Sequence, residues 1–377
     1  MKARLELGIL GIGNIGTNHA RYLVSGQVPG ARLAAICDLD GEKLSQAKET
    51  FSAAEDIAYY DNIDTFLQNG ALDGVIIATP HYFHPELAVK ALKSNLHVLS
   101  EKPTGVHTQQ VKELNDVANQ SEKVFGVMFQ WRGIDAYAKV KELLTNRALG
   151  ELHRIHMVHT IQFRTQAYYD SGGWRATWAG EGGGVLFNQA PHLLDIWYWF
   201  FGTPTRLRAF CHFGKYHDIE VEDDVTAYME YENGATGIFI ASTGECPGRN
   251  TLEIYGENGC ITLRQDGTVL FEQTRTGVTQ FIKESKERFG VPELWQCEIP
   301  AGMTQASNAE KHTKIINNWI DCIVTGSELI APGIDGLGSV TLANAMLLST
   351  WNDDWVSIPF DDALYYEKLQ TRIREAR

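Results

Sequence analysis

This chain has no C-x-x-C pair, no run of like charges and no low-complexity tract, and each absence removes a class of protein. Its six cysteines (Cys37, Cys211, Cys246, Cys260, Cys297 and Cys322) stand far apart. That argues against a zinc ribbon or a dithiol redox centre and for buried thiols in a reducing compartment. The histidines lack ligand-type spacing as well, so no metal is expected and catalysis should be organic. No stretch of roughly 18 apolar residues occurs, so no membrane span is predicted. Gly11 and Gly13 end the first apolar run after only about six residues, too soon for a signal peptide, which gives a cytoplasmic expectation. A basic surface is also missing: 33 Lys and Arg stand against 47 Asp and Glu, for a formal net charge of -14. The cations are scattered, which disfavours a nucleic-acid partner.

What is present is a globular composition, 44% hydrophobic and 21% charged over 377 residues, long enough for two cores. From the start to about residue 130, apolar runs near 5–10, 32–37, 57–60, 74–78, 97–100 and 124–129 alternate with helical patterns. Such alternation predicts a doubly wound parallel sheet of Rossmann type over residues 1–130. After a helix near 135–146 the rhythm changes. Residues 152–163, 225–231, 236–242, 251–255 and 260–263 read as strands, with Glu232-Asn233-Gly234 and Glu257-Asn258-Gly259 as hairpin turns. Residues 131–377 are therefore expected to form an α+β domain on a large, mostly antiparallel open sheet. Its open face is a natural surface for a homodimer or homotetramer. From Ser307 to Trp351 helical spacing returns, with Ile315, Ile316, Trp319, Ile320 and Ile323 on one face; these C-terminal helices are candidates to pack back on the first domain.

The first strand runs into Gly11-Ile12-Gly13-Asn14-Ile15-Gly16, which opens a helix. Gly11 allows the tight turn, Gly13 lets a pyrophosphate approach backbone, and Gly16 brings helix against sheet, while the N–H groups of Asn14, Ile15 and Gly16 face the phosphates. Asp38 ends the second strand, twenty-two residues beyond Gly16, near the spacing expected of a carboxylate that holds the adenine ribose. A 2'-phosphate beside Asp38 and Asp40 would meet like charge, and Leu39 offers no cation, so NAD is favoured over NADP. Thr79, Pro80 and His81 follow the fourth strand and are candidates for the nicotinamide side. Gln130 and Arg132, beyond the sixth strand, are candidates for its border.

Glu101-Lys102-Pro103 stands where the fifth strand runs out, at the end of the sheet where such folds bind ligands. Hydride loss from a carbinol requires a base for the hydroxyl proton. For Lys102 to serve near neutrality its pKa must sit well below the ordinary value of about 10.4, which burial and a neighbouring positive ring favour. His192 opens a helix after Pro191, and Asp195, three residues on, shares its face and is suited to orient the imidazole. Trp174, Arg175 and Trp178, near Tyr168, Tyr169 and Asp170, are candidates for a pocket wall of aromatic faces and a guanidinium fork. Trp197 and Trp199 read as packing.

Taken in order, the glycine motif, Ala78-Thr79-Pro80, Glu101-Lys102-Pro103, Trp174-Arg175, Gly182-Gly183-Gly184 and His192-Leu193-Leu194-Asp195 resemble the oxidoreductases named for glucose-fructose oxidoreductase, inositol dehydrogenase and rhizopine catabolism proteins. The resemblance spans nearly the whole chain. It implies a bilobal NAD(P) enzyme acting on a sugar, polyol or related hydroxy compound, with Lys102 catalytic, Glu101 and Lys102 beside the cofactor, and a cis bond before Pro103. The better-known family pattern has an aspartate four residues before the histidine, where this chain has Asn188. An amide does not accept the proton, so Asn188 is left to orient a hydroxyl while Lys102 or His192 takes the proton. Two other outcomes stay open: redox-neutral cleavage or epimerisation of a glycoside through transient oxidation, and a non-catalytic sugar and NAD sensor.

Overall fold

The computed structural model describes residues 4–54, 56–300 and 307–376. The chain divides into two compact units, Met1–Gly133 with Ser307–Val340 and Ile134–Ala306 with Thr341–Arg377.

In the first unit the strands are β1 (Leu5–Leu10), β2 (Ala31–Cys37), β3 (Ala58–Tyr60), β4 (Gly74–Ile77), β5 (His97–Ser100) and β6 (Phe125–Val127). They form a six-stranded sheet in the order β3-β2-β1-β4-β5-β6, with every pair parallel. This is the Rossmann order. Successive residues of β4 serve opposite cores: Val75 and Ile77 join Phe66, Leu87 and Leu114 on one face, whereas Ile76 joins Leu7, Ile9 and Leu44 on the other. A strand buried on both faces must be apolar throughout, which is why these segments read as unbroken apolar runs rather than as alternation.

Helix Asn308–Thr325 starts with a capping box, Ser307 and Glu310 bonding each other's backbone N–H. It contributes Ile315, Ile316, Trp319 and Ile320 to the core of the first unit, with Ile323 partly buried beside them. Glycines in the strands make room for its largest residue: a Cβ on Gly74 would come within 2.9 Å of the Trp319 ring, and one on Gly126 within 3.2 Å.

The second unit is built on β7 (Leu152–His159), β8 (Arg206–Phe213), β9 (Glu222–Glu230), β10 (Thr236–Ser242), β11 (Asn250–Gly256), β12 (Gly259–Leu263), β13 (Thr268–Thr274), β14 (Leu294–Pro300) and β15 (Val356–Ser357). Their order is β14-β13-β12-β11-β7-β10-β9-β8-β15. The pairing is antiparallel except between β7 and β10 at the centre. Both expected hairpins form, joining β9 to β10 and β11 to β12. Strands β8, β13, β14 and β15 go beyond the expected set. In β8 the outward Phe210 is 53% exposed and blurs the alternation of Leu207, Ala209 and Cys211. In β14 the apolar Leu294 and Trp295 lie exposed rather than in the core. Among the described residues, no helix is long and apolar enough to cross a membrane.

Trp319 is fully buried, so Trp319→Ala should cost about 3 to 5 kcal/mol in the first unit. Urea denaturation followed by far-UV circular dichroism checks this, and a loss below about 1 kcal/mol would show that the helix is peripheral to that core.

Candidate active site

The carboxyl ends of β1, β4 and β5 lie side by side, because Ala78 N–H donates to Leu10 O and Glu101 N–H donates to Ile77 O. Gly11 makes the turn after β1 with φ +90°. A Cβ on Gly16 would lie 1.9 Å from the Gly11 carbonyl oxygen, whereas one on Gly13 would meet nothing within 4 Å. Gly16 is therefore required for the close approach of helix to turn, and Gly13 leaves space above the loop. Helix Asn14–Val24 has no side-chain cap and no acidic residue in its first turn. The backbone N–H groups of Asn14, Ile15 and Gly16 at its start suit a pyrophosphate.

Asp38 braces this loop: its Oδ2 accepts the Ile12 N–H at 2.8 Å and its Oδ1 accepts the Asp40 N–H at 3.0 Å. Each oxygen keeps a lone pair that a ribose hydroxyl fits. Thr79 and Gln130 each hold one buried polar atom, Oγ1 and Oε1, without a hydrogen-bond partner, as expected where a polar ligand supplies the missing bond. Pro80 is exposed and leads into the single turn His81–Phe83, whose His81 is buried. Arg132 points into the fold instead, with its guanidinium 2.7 Å from Asp335 and also bonded to Ile330 O.

Beyond β5, Glu101 is buried and Lys102 half-buried. The Glu101 Oε1 lies 2.8 Å from Nε2 of the fully buried His19, and its Oε2 accepts the Lys102 N–H at 3.2 Å. Burial alone would raise the Glu101 carboxyl, but the His19 hydrogen bond and the charges of His19, His312 and Lys102 outweigh it and hold the pKa down at about 2. The His312 ring stands 5.5 Å from that of His19, and burial pushes its imidazole below 6.5. On the other side of Lys102 the peptide bond to Pro103 is cis. The Pro103 carbonyl is 2.7 Å from Nδ1 of buried His84, whose Nε2 lies 2.6 Å from the Thr79 carbonyl. Two carbonyls ask for two N–H donors, which only the imidazolium offers, yet burial pushes His84 below 6.5. Sequence reasoning missed His19 and His312 as parts of this site. The one available signal was the spacing of three from Gly16 to His19 on a single helix face; partners 82 residues apart leave none.

In the second unit a chain of polar groups runs through the loop before helix Pro191–Phe201. The Arg175 guanidinium stacks over the Trp174 and Tyr168 rings, 4.7 and 4.8 Å from their centroids, and its Nη1 donates to the Tyr168 hydroxyl at 3.0 Å. That hydroxyl donates to Asn188 Oδ1 at 3.3 Å. Asn188 Nδ2 in turn donates to Oε1 of Glu181. Gln189 also donates to Asn188 Oδ1, at 3.2 Å. Glu181 is 1% exposed, and its Oε2 accepts the Ala176 N–H at 2.7 Å. Four residues past Asn188, His192 lies buried in the first turn of the helix, and Asp195 is fully buried one turn on. Trp174 is 41% exposed, whereas Trp178 is core, edge-on to Phe213 and Trp351. Trp197 is also core and donates to the Tyr231 hydroxyl at 2.7 Å.

The glycine run is pinned by Glu222 at the start of β9. Its Oε1 accepts the N–H groups of Gly184 and Leu186 at 2.8 and 3.0 Å, and its backbone oxygen accepts that of Val185. A Cβ on Gly184 would lie 2.0 Å from that backbone oxygen, so glycine is required there. Burial pushes the Glu222 carboxyl up to about 7, aided by Glu181 and opposed by the N–H donors of its own residue, Leu186 and Gly184.

Residues 5–129 match the model of an oxidoreductase family with an NAD-binding Rossmann fold, and residues 137–262 match the GFO/IDH/MocA C-terminal domain. An uncharacterized oxidoreductase of Synechocystis is 30% identical over 59% of this chain and 63% of its own length. The chain thus spans somewhat under two thirds of that relative. Levoglucosan dehydrogenase of Pseudarthrobacter phenanthrenivorans is 23% identical over 94% of this chain and 98% of its own. In fold, the WlbA dehydrogenase from Bordetella pertussis, solved with NADH and UDP-GlcNAcA, is similar at a TM-score of 0.76 and 23% identity, covering 95% of this chain and 100% of that one.

Because native Glu222 holds its proton up to about 7 while the unfolded carboxyl releases it near 4.5, its contribution to stability falls as pH rises between those values. The melting midpoint of Glu222→Gln, measured against the native chain from pH 4 to 8, should gain relative stability with rising pH. A pH-independent difference would contradict the raised pKa.

Proposed function

The chain belongs to the GFO/IDH/MocA oxidoreductase family, and from that premise we propose an NAD-dependent dehydrogenase of a secondary hydroxyl on a sugar, sugar derivative or cyclitol. The observation that carries this reading is the setting of Lys102. It stands one strand from Thr79 and two from the glycine turn, with Glu101 held by His19 on one side and Pro103 by His84 on the other. A primary amine at that end of a parallel sheet suits proton exchange with a hydroxyl that loses hydride.

In this reading Gly11, Gly13, Asn14, Ile15 and Gly16 hold the pyrophosphate, Asp38 the adenine ribose, and Thr79, Pro80, His81, Glu101 and Gln130 the nicotinamide end. The bound nicotinamide supplies the hydride acceptor. Lys102 and His192 are the acid–base groups that move the hydroxyl proton. Asn188, an amide, orients the substrate, and Trp174 and Arg175 present a ring face and donors to it. The levoglucosan dehydrogenase and the UDP-GlcNAcA-bound WlbA enzyme support a carbohydrate substrate by their names.

A cytoplasmic homodimer or homotetramer belongs to the same proposal. The six cysteines are free thiols, and Phe210, Tyr228 and Tyr255 are exposed on the second sheet. Asn188 also keeps a redox-neutral reading in view, in which a glycoside is oxidised, cleaved or epimerised, and reduced again.

Reduced-nicotinamide absorbance with NAD and a panel of monosaccharides, cyclitols, sugar acids and glycosides tests the proposal. Lys102→Met and His192→Ala should each lower turnover by about 10² to 10⁴-fold. Unchanged rates in both would remove the acid–base assignment, and aglycone release without reduced cofactor would favour the redox-neutral reading.

A further inference from the structure

Asn188 is the amide at which an acid–base role stops, and its orientation is set from behind. Glu181 has two oxygens and no proton to donate when ionised. One accepts from the Ala176 backbone and the other from Asn188 Nδ2. The Asn188 carbonyl is consequently turned toward the Tyr168 hydroxyl and the Gln189 amide, and Tyr168 is turned by Arg175. Guanidinium, phenol, amide and carboxylate form one head-to-tail chain, cation at one end and buried anion at the other, in which each bond polarises the next.

We propose that Glu181 is a positioning residue for the substrate half of the site: through Asn188 it fixes which groups there donate and which accept. The inference rests on the dehydrogenase reading for its consequence in turnover, but the pairing stands on geometry alone. With Glu181 ionised, flipping the Asn188 amide sets an oxygen against a carboxylate. The negative charge of this pocket sits one residue behind the substrate contact, and Asn188 orients a substrate oxygen without taking its proton.

The chemistry dictates an exchange test. Glu181→Gln alone provides one carbonyl for two donors, Ala176 N–H and Asn188 Nδ2, so one donor is left facing an NH₂ group. Asn188→Asp alone sets two buried carboxyls against each other beside Glu222, which also carries a carboxyl, with Arg175 reaching the group only through Tyr168. Joined, Glu181→Gln and Asn188→Asp restore every bond and reverse only the one between positions 181 and 188: the carboxamide introduced at position 181 still accepts from Ala176 through its oxygen and now donates through its NH₂ to the carboxylate introduced at position 188.

Melting midpoints of the four proteins from pH 5 to 9 read the pairing without any substrate. Asn188→Asp should fall below the native chain by a gap that widens with pH, and the double variant should recover at least half of that gap. A double variant no better than Asn188→Asp overturns the pairing. A Glu181→Gln chain that does not fold while the double variant does is itself the expected rescue.

Turnover of levoglucosan, myo-inositol and methyl glucoside with NAD reads the consequence. Glu181→Gln should raise KM about tenfold with kcat within about threefold, and the double variant, which has no N–H at position 188, should keep KM raised even though its stability recovers. An unchanged KM in a folded Glu181→Gln overturns the positioning role. If the native chain oxidises none of the three, the dehydrogenase reading is what fails, and the melting series still decides the pairing.

Discussion

The buried pairing of Glu101 with His19 is the constraint on which the cofactor half of the molecule turns. An ionised carboxylate in a nearly dry setting is tolerable only if it is bonded and faced by positive charge. The His19 ring and the Lys102 N–H bond it, and the Lys102 ammonium adds positive charge. Because His19 belongs to the helix that follows the glycine turn, and Glu101 stands at the end of β5, one bond ties that helix to the strand that presents Lys102. His84 performs the matching task between Thr79 and Pro103. The amine is thus carried on backbone fixed at both sides.

The second unit follows the same logic with different elements. Glu222 secures the backbone of the glycine run, and Glu181 secures the side chain of Asn188 that emerges from it. Both carboxyls are buried, and they repel each other enough to help raise Glu222. One holds a loop, and the other fixes hydrogen-bond direction. Neither lies in the glycine run or the helix that carries His192, although both act on the segment between them.

Much of this was legible in the sequence because local rules decide it. The six strands of the first sheet announce themselves as apolar runs, since both faces are covered. The glycine turn, Asp38 and Lys102 announce themselves by position at strand ends. Ile315, Ile316, Trp319 and Ile320 reveal a buried helix face by spacing of three and four. What stayed hidden depends on contacts between distant segments. His19 with Glu101, His84 with Pro103, and Glu222 with Gly184 have no periodicity to betray them. The parallel pairing of β7 with β10 is likewise a matter of topology, and the outward Phe210 and Trp295 disguise β8 and β14.

Hydride leaving a carbinol carbon of a sugar for the nicotinamide ring is the step on which the proposed function stands. Its most direct test is to supply a sugar deuterated at that carbon with NAD and weigh the cofactor afterwards. Reduced cofactor one deuterium heavier, accumulating in step with the ketone, is expected. Reduced cofactor without the label, or consumption of the sugar with no change in the cofactor at all, would contradict it.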